Sequence, residues 1–102
     1  MTWEEKTEMI KLHNQGEQTA CLEFILKHIN DDLDEQAKSM IINCIEMTDA
    51  AINANFKIHE QLHPILDTWQ SDSMKDAIRL SYYDVSFKEL KQARENGDVP
   101  FH

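Results

Sequence analysis

Apolar residues recur along this chain at steps of three and four, the period of one face of an α-helix, and no stretch alternates like a half-buried strand. Between residues 18 and 29, Cys21 or Leu22, Ile25, Leu26 and Ile29 share one side and predict a helix with a single buried face. The middle of the chain holds the strongest pattern. Ala37, Met40, Cys44, Met47, Ala51, Ala54 and Ile58 form one line, Leu62, Ile65 and Trp69 continue it, and Ile41, Ile45, Ile52 and Phe56 run beside it. A face that wide suits a helix buried against two neighbours, so one long central helix is expected from about 33 to 69. Pro64 lacks an amide hydrogen and crowds the turn before it, which predicts a kink there.

The remaining elements follow from caps and breaks. Thr2 with Glu5 three residues on makes a capping box, and Gly16 can take the left-handed conformation that closes a first helix. Trp3, Met9, Ile10 and Leu12 give that helix only a narrow apolar stripe, so residues 1–16 are expected to dock loosely. Asp31 or Asp32 is the expected cap of the central helix, with Glu35 in the capping-box place relative to Asp32. The same acids lack the glycine and the distal glutamate of a calcium loop. "QSDS" at 70–73 makes the next break, where Ser71 or Ser73 caps a last helix that runs to Gly97. On it Met74, Ile78, Tyr82, Val85 and Leu90 fall on one face, with Leu80, Tyr83 and Phe87 near the other. One of Tyr82 and Tyr83 is expected inside with its hydroxyl bonded. Residues 98–102 read as a frayed tail. The fold expected is all-α: a small antiparallel bundle of three or four helices around the long central helix, in a single domain over 1–102.

Composition supports helices and narrows the partners. Two glycines and two prolines in 102 residues are too few for the turns of a small β-sandwich. The net charge of −9 opposes binding to nucleic-acid backbones and to anionic membrane surfaces. Residues 1–72 hold 14 acids against 5 bases, so the negative field belongs to the first three quarters of the chain. Such a field suits a basic protein partner. Glu4, Glu5, Glu8, Asp31, Asp32, Asp34 and Glu35 are the expected contact residues. A cytoplasmic location is expected, because no apolar run approaches the ~20 residues of a membrane span and no leader pattern opens the sequence. Cys21 and Cys44 sit inside helical patterns and read as two buried free thiols.

One stretch carries candidate chemistry. In "KIHEQLH", His59, Glu60 and His63 form His-Glu-x-x-His, a motif that resembles the zincin metallopeptidases over these five residues. The resemblance implies zinc held by His59 and His63, with Glu60 as general base. Pro64 biases His63 away from helical geometry, and no third ligand stands at a recognisable spacing. The same Glu60-x-x-His63 lacks the second copy that a di-iron carboxylate site requires. The two histidines are therefore expected on the surface shoulder of a helix, with no metal, no cofactor and no catalytic residue. Zinc hydrolysis is the alternative. "LDTWQSDSMKDA" is similar to the bend of helical-hairpin secretion proteins, with Ser71 where that family has glycine. That likeness implies a structural oligomer, here through Tyr83 and Phe87. By analogy with small acidic helical proteins, the function expected is a non-catalytic inhibitor or adaptor of the immunity, antitoxin or phage anti-defence type.

Overall fold

A computed structural model of the chain describes residues 1–69 and 72–97. All regular structure there is helical: α1 (Trp3–Asn14), α2 (Gln18–His28), α3 (Glu35–Cys44), α4 (Asp49–Ala54), α5 (Phe56–Leu66) and α6 (Met74–Glu95). The helices fall into two compact units, Met1–Glu46 with α1 to α3 and Met47–His102 with α4 to α6. The expected Ser71 cap and the 98–102 tail lie outside the described residues.

In the first unit the capping signals work as written for α1. The Thr2 hydroxyl accepts from the Glu5 amide at 3.2 Å, and the Thr2 amide donates to the Glu5 carboxylate at 2.7 Å. Gly16 follows the helix with φ +73°, a conformation that a side chain would strain. The expectation that α1 docks loosely is corrected. Met9 is completely buried, and the buried Lys6 extends its ammonium to Gln36 at 3.0 Å and Asp34 at 3.4 Å. One buried methionine and a tethered lysine replace the broad stripe that seemed necessary. The core beneath contains Cys21, Leu22, Ile25, Ile41 and Ile45. Both cysteines are free and buried, as expected. The Cys21 thiol lies 3.7 Å from the Met9 carbonyl oxygen. Its hydrogen bonding with Cys44 and its burial push the thiol pKa up, leaving it a poor nucleophile.

The single helix expected from 33 to 69 is instead three helices. Ile45 adopts extended geometry, with φ −90° and ψ 123°, and ends α3. Thr48 then caps α4, its hydroxyl accepting from the Ala51 amide at 3.2 Å. Asn55, with φ −121° and ψ 37°, separates α4 from α5. Each break re-phases the apolar pattern. Ile41, Ile45, Ile52 and Phe56 are all buried, whereas Ala54 of the first line is exposed. Pro64 sits inside α5, which continues to Leu66. The cap of α3 is also corrected, from Asp31 or Asp32 to Asp34, which accepts from the Ala37 amide at 2.7 Å.

In the second unit α6 packs on α4 and α5 through one side. Tyr83, Ser86, Phe87 and Leu90 are buried. The Phe87 ring stacks on Phe56 with centroids 5.3 Å apart and on the His63 ring at 4.3 Å. Arg94 closes the far end, donating to Asn53 at 2.7 Å with its guanidinium 4.3 Å above Phe56. Tyr83 and Phe87 are therefore internal to one copy, which corrects the oligomer expected through them.

Candidate functional site

The His-Glu-x-x-His turn lies on α5, where the helical period sets Glu60 apart from the two histidines, whose rings both lie 5.5 Å from the Tyr83 ring. His59 is completely buried, which corrects its expected place on the surface. Its Nδ1 lies 2.9 Å from the Tyr83 hydroxyl, and that hydroxyl is also 3.4 Å from the His59 carbonyl oxygen. With the proton on Nδ1, the imidazole donates to the tyrosine oxygen and the tyrosine donates to the carbonyl. Every donor is then used, and Nε2 is left as a lone pair without a hydrogen-bond partner. Burial disfavours the charged imidazolium and lowers the His59 pKa to about 4. Burial likewise pushes the Tyr83 hydroxyl pKa up. Both groups are neutral near pH 7.

His63, one turn on, turns to different partners. Its Nε2 lies 2.9 Å from the Asp84 carboxylate on α6, and its side chain is 12% exposed. Asp84 also accepts from the Lys88 ammonium at 3.0 Å. That bond, with the His63 contact, holds the Asp84 carboxyl below the usual range. Glu60, one residue past His59, points to solvent. It borders a shallow recess with Lys57, Lys91 and Arg94. The general base and the first supposed ligand thus face different surroundings.

Metal-capable atoms converge elsewhere. His63, Asp67 and Asp84 place one imidazole nitrogen and two carboxylate oxygens within 4.8 Å of one another, the group of this kind found among the described residues. An imidazole and two carboxylates suit a divalent cation of intermediate softness. Lys88 already supplies a positive charge there, and its pKa is raised by Asp84 and Asp67. The motif in the sequence pointed to His63 but not to its partners, which come from a helix cap and from α6 twenty-one residues away.

The seven acids expected to meet a partner all lie in the Met1–Glu46 unit, and contacts with His28 and Lys6 involve three of them. Glu5 on α1 and Asp31 beyond α2 both approach the His28 imidazole, at 3.3 and 2.9 Å, and pair with it when it is protonated. Asp34, at the start of α3, reaches Lys6 on α1. Two of the seven are committed to the fold. The backbone amide of Thr2 holds the Glu5 carboxyl below its ordinary pKa, and the Ala37 amide with Lys6 does the same for Asp34. Glu35 is 3.7 Å from Lys38 but largely exposed. Glu4, Glu8 and Asp32 are exposed. Trp3, next to Glu4 on α1, leaves 68% of its surface in water, a feature that the thin apolar stripe of α1 did not single out.

No described helix is long and apolar enough to cross a membrane. Comparison of the chain with protein-family models, with curated proteins and with solved structures finds no match.

Proposed function

We propose that the chain is a non-catalytic acidic docking module, an inhibitor or adaptor of the immunity, antitoxin or phage anti-defence type, that engages a basic protein in the cytoplasm. The observation that carries this reading is Trp3, exposed at the start of α1, in the same unit as the exposed acids Glu4, Glu8, Asp32 and Glu35. Tryptophan is the side chain most often found at the energetic centre of a protein interface, and charge around it steers a partner of opposite sign. Lys11 also lies exposed on α1, so the field there is strongly but not wholly negative. Glu4, Glu8, Asp32 and Glu35 act as contact charges, with Asp31 at their margin. Glu5 and Asp34 act by holding the surface in shape. A zinc hydrolase built on His59, Glu60 and His63 has less support, because His59 is enclosed by the core and bonded to Tyr83.

The test is a paired capture from the native host, comparing the wild-type chain with a variant carrying Glu4→Gln, Glu8→Gln and Asp32→Asn. These three carboxylates make no cap, so the variant should melt with the wild type. Basic proteins retained by the wild type should be lost or depleted at least about tenfold on the variant, and should elute as salt rises. An identical set of proteins on both baits would reject the acidic surface. Trp3→Ala should weaken capture at low salt as well, because its contribution is apolar.

A further inference from the structure

The outward side of α6 is apolar. Met74 is 79% exposed, Ile78 62%, Tyr82 50% and Val85 55%, and steps of four, four and three place them in one line about 16 Å long. The line lies opposite Tyr83, Phe87 and Leu90, which face the unit's own core, so α6 presents apolar rows on two sides. Its neighbours add to it: Met47, Thr48 and Arg79 border a shallow recess beside Ile78 and Tyr82. Four large apolar side chains in a row exceed the scattered exposure that is ordinary on a protein surface. Lys75, next after Met74, and Glu89, one turn beyond Val85, are both exposed. They stand seven residues to either side of Tyr82, two heptad steps apart, and so keep to one side of the helix.

We propose that this line is a self-association surface, in which α6 helices from two copies lie antiparallel across a two-fold axis at Tyr82. The polarity of the line selects the occupant. In the antiparallel arrangement Lys75 faces the partner's Glu89 at both ends, while a parallel arrangement would set lysine on lysine and glutamate on glutamate. A two-fold axis needs only one self-complementary patch, and this patch has opposite charges at equal distances from its centre. Ile78 and Val85 then pack side by side about Tyr82. The line belongs to the Met47–His102 unit and the acids to the Met1–Glu46 unit, and the inference stands whether or not a basic partner binds the acids.

Sedimentation equilibrium over a wide range of protein concentration, in physiological salt where the net charges of two copies are screened beyond about 8 Å, tests it. The wild type should be a reversible dimer. Ile78→Asp should abolish the dimer while the far-ultraviolet spectrum and melting of the monomer stay as before, because the side chain is exposed. Glu89→Lys should weaken association about tenfold through two lysine pairs, and adding Lys75→Glu to it should restore the wild-type constant. A wild type that is monomeric throughout overturns the proposal. So does a dimer that Ile78→Asp leaves intact, or a double variant as weak as Glu89→Lys alone.

Discussion

Leu62→Ala should lower the free energy of unfolding by about 2–5 kcal/mol, one of the two largest effects expected of a change in this protein. Leu62 is completely buried on α5, one turn after His59 and one before Leu66, and those two are buried as well. Removing its branched end takes away transfer free energy and leaves a cavity that a short helix held by α6 cannot close. Met74→Ala removes an apolar side chain of similar size from the exposed side of α6. In dilute protein it should change stability by no more than about 0.5 kcal/mol. Urea titration of both variants measures the contrast. Similar losses at the two positions would mean that the buried side of α5 and the outward side of α6 have been confused.

Acid should destabilise the protein through His59 before the carboxylates respond. The folded pKa of His59 is lowered from 6.5 to about 4 by desolvation. Between those values the unfolded chain binds a proton that the folded chain refuses. Stability is therefore complete above pH 6.5, falls as pH drops toward 4, and loses about 3 kcal/mol over that interval. Glu5, Asp34 and Asp84 have depressed pKa values and lose their contributions only as pH falls further, through the range below ordinary carboxylates. His59→Gln cannot take up the proton, so its stability should be nearly flat across the histidine interval even though its value at pH 7 is lower. Denaturant midpoints at pH 7, 6 and 5 decide the matter. Parallel slopes for wild type and variant would place the responsible proton elsewhere.

Helical class was legible because the period of three and four runs through every segment. The end signals of α1 were legible too, since Thr2, Glu5 and Gly16 each admit one role. Failure came where several residues could play the same part. In "NDDLDE" three aspartates are competent caps, and Asp34 is selected because its position lets Ala37 and Ile41 turn inward, a tertiary criterion. The continuous stripe from Ala37 to Trp69 concealed two breaks, because Thr48 followed by Asp49 is a start signal that fits inside an apolar line without interrupting its spacing. The candidate site divided in the same way. Acidic residues were found from charge alone, but the contacts of Asp34 with Lys6 and of Glu5 with His28 cross between helices. His59 was expected on the surface shoulder of the helix because no third metal ligand stands at a recognisable spacing. Its burial depends on the Tyr83 hydroxyl, 24 residues away, which no local pattern predicts.

The decisive quantity for the docking account is the affinity of a captured basic partner for the wild-type chain and for the variant with Glu4→Gln, Glu8→Gln and Asp32→Asn, titrated by calorimetry at low and at physiological salt. The account predicts tighter binding by the wild type, a gap that narrows as salt screens the lost charges, and unchanged folding of the variant. Equal affinities at both salt concentrations would contradict it.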